Sequence, residues 1–228
     1  MREVLIVQNA ASGGPRRVGD WLAEDGLDLE VVRPFDGDEL PARLGGRALV
    51  VLGGGYLPSD DARAPWLPAT RELVREAIDD GRPYLGICLG GQMLAEVAGG
   101  LVKADAGEPE NGSTPITLRP EAAADPLFHD LPGVVTAIEH HKDAVVELPE
   151  GAVWLARTEA CPYQAFRVGA AAWGVQFHPE VTPERILEWD DRGFDLADLH
   201  RRALLDEPAA VAVWREVTRR FAGVARMS

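Results

Sequence analysis

The sequence predicts an α/β fold, and three observations carry that expectation. Short continuous apolar runs at 4–8, 48–52 and 84–87 each stop at polar or glycine-rich sequence, as buried parallel strands do where they run into loops. Between these runs lie segments with apolar residues at helical spacing, so strand and helix alternate as in βαβ units. After Gly100 the pattern changes to short strand-like runs separated by turn residues, so the second half is richer in strand.

In order, the first strand at 4–8 gives way to a polar, glycine-rich loop at 9–14, and 17–24 places Val18, Trp21 and Leu22 at helical spacing. A second strand at 29–32 precedes a loop containing Pro34, Gly37 and Pro41. The third, at 48–52, ends abruptly at Gly53, Gly54 and Gly55, and a long loop with Asp60 and Asp61 follows. A helix over 66–80 is capped by Gly81, a fourth strand spans 84–87, and a helix over 89–97 is terminated by Gly99 and Gly100. Further strands are expected at 116–118, 134–138, 145–148, 153–157, 165–168 and 172–177. From Pro183 onward, residues such as Ile186, Leu199, Val213, Trp214 and Phe221 predict two or three amphipathic helices. Without repeats or low-complexity linkers, the expected organisation is one domain over 1–228, with a core at 1–184 and a C-terminal helical extension at 185–228.

A chain of 228 residues needs no covalent staple, since folding at this length buries roughly 70% of the unfolded surface. Its formal net charge of −14 repels phosphate backbones and anionic bilayers, so neither nucleic acid nor membrane is an expected partner. The apolar run near Met1 is too brief for a secretory signal and no stretch reaches spanning length, which predicts a cytoplasmic protein. Cys88 and Cys161 are the only cysteines, so a disulfide framework and a zinc site on paired cysteines are both excluded, and no metal is expected.

Gly86-Ile87-Cys88-Leu89-Gly90 has the form G-x-C-x-G, the thiol counterpart of a nucleophile elbow between strand and helix. Strand and helix backbones approach closely at such a turn, and glycines two residues either side of the nucleophile avoid the collision. The turn also sets Cys88 at a helix N-terminus, where free N–H groups favour a thiolate. A lone cysteine at a strand end is more often a small buried hydrophobe. The flanking glycines and preceding strand reverse that preference here.

His178-Pro179-Glu180 supplies the matching base. Proline biases its predecessor toward extended backbone, so His178 and Glu180, two positions apart, direct their side chains toward the same side. An isolated His-Pro would read as a satisfied histidine at a strand end; the adjacent carboxylate and the upstream Cys88 favour proton transfer. His129, His140 and His200 lack such context and read as structural or surface residues.

The stretch from Pro83 to Gln92, PYLGICLGGQ, resembles the class I (triad-type) glutamine amidotransferases, most closely the stand-alone members similar to the glutaminase domain of GMP synthase. WGVQFHPE, ending at Glu180, resembles that family's histidine and glutamate motif, and the two motifs occur in the family's order. Gly53 to Gly55, Glu110-Asn111-Gly112, His141-Lys142-Asp143 and the run CPYQAF from Cys161 fit at lower specificity. The resemblance covers about residues 1–184 and implies a largely parallel open sheet flanked by helices, flavodoxin-like, with a small antiparallel sheet from the middle of the chain.

The resemblance implies that Cys88, His178 and Glu180 hydrolyse the side-chain amide of glutamine through a γ-glutamyl thioester, without cofactor. Oxyanion donors are expected from the N–H of Leu89, placed by the turn itself, and of Gly54 or Gly55, where absent side chains let backbone approach substrate. Gln92, one helical turn beyond Cys88, is a substrate-binding candidate, with an exposed helix glutamine as the alternative. His141 matches a family position near the glutamine site, with a packing or turn role equally open. The sequence around Ser12-Gly13-Gly14-Pro15 only superficially resembles a pyrophosphatase loop, because Arg16 and Arg17 follow it, and no nucleotide-binding domain is recognisable. Ammonia would therefore pass to a separate synthase subunit. Two alternatives remain: a stand-alone hydrolase of another γ-glutamyl amide, and a non-catalytic regulatory subunit, which is disfavoured because all three triad positions are filled.

Overall fold

A computed structural model describes residues 3–190 and 193–227. Strands β1 (Val4–Val7), β2 (Leu29–Val32), β3 (Ala48–Val51) and β4 (Tyr84–Ile87) alternate with helices α1 (Arg16–Glu24), α2 (Leu67–Asp79) and α3 (Leu89–Val97). There follow β5 (Leu101–Lys103), β6 (Glu110–Leu118), β7 (Val134–His141), β8 (Ala144–Glu147), β9 (Val153–Arg157), β10 (Ala165–Val168), β11 (Ala172–Val175) and the helix α4 (Leu196–Arg226). Nine strands form one sheet in the order β2-β1-β3-β4-β11-β10-β9-β6-β7, and β5 pairs with β8 in a small antiparallel ribbon. The five strands from β2 to β11 are mutually parallel; beyond β11 every neighbour is antiparallel. Most strands from the middle of the chain thus extend the main sheet.

The strand side chains sort by parity onto the two faces. Val4, Ile6, Val50, Leu85 and Ile87 pack with Val18 and Leu22 of α1 and with Trp214 and Phe221 of α4. On the other face Leu5, Val7, Leu49, Val51 and Tyr84 pack with Leu73 and Val74 of α2 and with Met93 and Leu94 of α3. Both faces are covered, which is why the strands read as unbroken apolar runs. Trp214 is 1% exposed, and burying a ring of that size contributes on the order of 4–6 kcal/mol as an upper bound.

Three elements differ from the sequence expectation. After the 3₁₀ segment Pro183–Glu188, the C-terminal region is one 31-residue helix, α4, where two or three were expected. Pro208 lies inside it without ending it, because it sits on the solvent face, where the carbonyl left without a donor is open to water. β6 begins at Glu110, because polar residues such as Asn111 and Ser113 pair with β7 throughout, from Glu110↔His141 to Thr117↔Val134. β5 is absent from the sequence expectation, since three residues with Leu101 exposed carry no legible alternation. Among the described residues no helix is long and apolar enough to cross a membrane.

The first turn of α3 lies against the sheet at glycine distance. A Cβ on Gly86 would stand 2.4 Å from the Gly90 carbonyl carbon, and one on Gly90 would stand 2.0 Å from the Val51 carbonyl oxygen. Gly90→Ala therefore requires backbone to move, and we expect a loss above about 4 kcal/mol in chemical denaturation, or failure to fold. Gly223→Ala, in α4 with nothing within 4 Å of the added methyl, is expected to raise stability by roughly 0.5–1 kcal/mol in the same assay.

Candidate active site

Cys88 joins β4 to α3 and adopts φ 51°, ψ −106°, outside the region open to L-residues at low cost. Its N–H donates to the Val175 carbonyl at 2.8 Å, and the buried Tyr84 hydroxyl donates to the Gly90 carbonyl at 2.8 Å, so the strained turn is fixed on both sides. The Cys88 side chain reaches a cavity of about 230 Å³ that is also lined by Gly53, Gly54, Gly55, His178 and Glu180. Leu89 is the first residue of α3, so its N–H has no acceptor within the helix.

His178 arrives on the segment that leaves β11, the strand next to β4, and its own N–H donates to the Ile138 carbonyl at 2.8 Å. Its Nδ1 lies 2.8 Å from Glu180 Oε1, and its side chain hydrogen-bonds Cys88. A Cβ built on Gly53 would stand 3.0 Å from His178 Cε1 and 3.5 Å from Cys88 Cβ, so the three backbones converge on one point. Burial pulls the His178 pKa down, but the charges of Glu180 and Cys88, with their hydrogen bonds, outweigh it and hold the value well above that of an ordinary imidazole.

Gln92 is buried, not exposed, and it does not line the cavity. Its Nε2 donates to the Asp143 carbonyl at 2.9 Å and to Gln176 Oε1 at 3.1 Å, while Gln176 Nε2 donates to Cys88 Sγ at 3.5 Å. The sequence reading does not single out Gln176, although its place two residues before His178 on a strand end is an available signal. His141 is likewise buried away from the cavity, with Nε2 at 3.1 Å from Glu110 Oε2 and 3.4 Å from Glu139 Oε2. Its neighbour His140, expected as structural or surface, faces the cavity instead and stacks on Trp189 with ring centroids 4.1 Å apart. Successive strand residues point to opposite sides, so of two adjacent histidines only one reaches the cavity.

Glu110, His141 and Cys161 offer three ligand atoms within 4.8 Å of one another. Their chemistry is nevertheless that of a hydrogen-bonded network. Glu110 Oε2 accepts from Gln164 Nε2 at 2.7 Å as well as from His141. Burial pushes the Cys161 thiol far up, away from the thiolate that a metal requires. Burial and then the Glu110 charge also raise the Glu139 carboxyl well above the carboxylate range.

A flavodoxin-like α/β sheet with a cysteine turn at the carboxyl ends of its parallel strands defines the class of protein. Residues 16–186 match the family model described as glutamine amidotransferase class-I, and the chain belongs to that family. It is 34% identical over 183 residues to a glutamine-hydrolyzing GMP synthase of Porphyromonas gingivalis, covering 79% of this chain and 34% of that protein. In Methanopyrus kandleri a separate subunit of glutamine-hydrolyzing GMP synthase is 34% identical over 158 residues, covering 68% of this chain and 78% of the relative. The glutamine amido transferase of Methylobacillus flagellatus superposes with a TM-score of 0.86 at 27% identity, over 98% of this chain and 95% of that one. The chain thus spans about a third of the Porphyromonas synthase and most of the Methanopyrus protein.

Charge removal tests the electrostatics directly. In Cys88→Ala and in Glu180→Gln the His178 pKa should fall toward the ordinary value, as followed by NMR titration of the imidazole. Because the folded value exceeds the unfolded 6.5, the stabilisation from this group is complete below that pH and is lost as pH rises through the folded value. Both variants should show a smaller loss over that window.

Proposed function

We propose that this chain is a glutaminase, releasing ammonia from the side-chain amide of glutamine. The observation that carries the reading is the convergence of Cys88, His178 and Glu180 on one cavity, with Nδ1 of the imidazole held by the carboxylate at 2.8 Å. The Cys88 thiolate attacks the γ-carbonyl, and the charge that develops on oxygen is met by the N–H groups of Leu89 and of Gly54 or Gly55. The His178 imidazolium protonates the departing ammonia, then draws a proton from water as it resolves the thioester to glutamate. Glu180 keeps the ring in the tautomer that this exchange needs. Gln92 and His141 act from beneath, holding Gln176 and the Glu110 network in place.

The relative named as a distinct subunit of GMP synthase supports a companion synthase as the destination of the ammonia. A second reading, a hydrolase of a larger γ-glutamyl amide, is favoured by the cavity wall of His140, Trp189 and Arg185, more surface than ammonia requires. Glutamate release from glutamine and from a panel of γ-glutamyl amides decides between them. Glutamine should be the best substrate, Cys88→Ala should lose activity by about 10⁴-fold or more, and a strong preference for one conjugate would select the second reading. No release from any of them, with Cys88 inert to a glutamine-analogue electrophile, sinks both.

A further inference from the structure

The segment that carries His178 and Glu180 is tied to the rest of the molecule at one charged contact. Arg17, in α1, sends its Nε to the Pro179 carbonyl at 2.8 Å and its Nη1 to Glu207 Oε1 of α4 at 2.5 Å. Its side chain is only 10% exposed, and its guanidinium stands 5.4 Å from the centroid of the Trp21 ring. Arg17 is not a wall of the cavity, so whatever it contributes to chemistry it contributes through the segment it holds.

We propose that Arg17, clamped by Glu207, is a positioning residue that sets Glu180 against His178. The inference rests on the glutaminase reading of that pair. Pro179 separates the two residues; its ring fixes φ and it has no N–H to donate. The remaining freedom lies in its ψ, which turns the peptide plane between Pro179 and Glu180 and swings the carboxylate relative to the imidazole. The Pro179 carbonyl belongs to that plane. Locally the segment offers little other restraint, since the Val181 N–H lies 3.5 Å from the His178 carbonyl, at the outer limit of a hydrogen bond. A guanidinium donor makes a charge-assisted bond, stronger than a neutral one, and the counter-charge of Glu207 keeps the cation oriented where water reaches poorly. Helix α4 thereby takes part in the geometry of the active site without reaching it.

The test uses Arg17→Met, which keeps the aliphatic stem and removes every donor, with Arg17→Lys and Glu207→Gln beside it. In Arg17→Met kcat should fall roughly 10- to 100-fold while KM changes less than about threefold, since a displaced carboxylate misaligns the base without touching bound substrate. Glu207→Gln should lose less, Arg17→Lys should recover part of the loss, and the double variant Arg17→Met/Glu207→Gln should fall no further than Arg17→Met alone. A second readout needs no substrate: the pH dependence of Cys88 alkylation by iodoacetamide should shift in Arg17→Met and return toward wild type in Arg17→Lys. Wild-type kcat per folded molecule and an unshifted alkylation profile, with only the melting temperature lowered, would overturn the proposal. If Arg17→Met does not fold, wild-type behaviour of both readouts in Glu207→Gln does the same. If the wild type releases glutamate from no substrate, the glutaminase reading fails, and the alkylation profile still decides whether Arg17 sets the pair.

Discussion

The contact between the first turn of α3 and the ends of β3 and β4 governs the rest of the site. Gly90 lies so close to the Val51 carbonyl, and Gly86 to Gly90, that no side chain fits between them. This approach forces Cys88 into its positive φ, a conformation that costs about 1–3 kcal/mol for a residue with a Cβ. The cost persists because the surroundings over-determine it. Leu89, Met93 and Leu94 lock α3 into the core on one face, and the Tyr84 hydroxyl and Val175 carbonyl hold the turn by hydrogen bonds.

Beneath the cavity the polar groups form a second layer that rigidity alone does not explain. Gln92, Gln176 and the Cys88 sulfur are linked in sequence, and Glu110, Gln164 and His141 form a neighbouring cluster at the junction of β6 and β7. Buried amides suit this place because each has both donors and an acceptor and carries no charge that would compete with His178. Glu139 is consistent with this. Deep burial and the nearby Glu110 charge favour its neutral form, which limits the negative charge packed beside the sulfur.

The parallel half of the sheet was legible because both faces are covered, so each strand is an uninterrupted apolar word such as Val4-Leu5-Ile6-Val7. Cys88, His178 and Glu180 were legible because rare backbone requirements surround them: glycines at a crowded turn, proline in an extended segment. The start of β6 was not, since its polar residues owe their strand conformation to pairing with β7, a partner distant in sequence. The continuity of α4 through Pro208 was hidden for a related reason: packing of Trp214 and Phe221 against the sheet outweighs a local break. His140 and His141 could not be told apart because an adjacent pair gives no sign of which face of β7 meets the cavity.

The geometry also divides the labour of the site between strands and loops. Cys88 follows Ile87 of β4 and His178 follows soon after Val175 of β11, and those two strand residues are direct partners in the parallel ladder. The separation between sulfur and imidazole is therefore set by inter-strand spacing, about 4.8 Å in any sheet, with short tethers beyond the ends. That distance does not depend on loop conformation. The remaining wall does: Ser12 and Gly13 follow β1, Gly53 to Gly55 follow β3, and Arg185 and Trp189 lie in and just after the 3₁₀ segment. Changes in those loops can reshape what enters the cavity while leaving the sulfur and the ring in register. Substrate preference in this fold is thus free to vary over a fixed reactive frame, and α4, reaching that frame through Arg17, is the element beyond the sheet that bears on it.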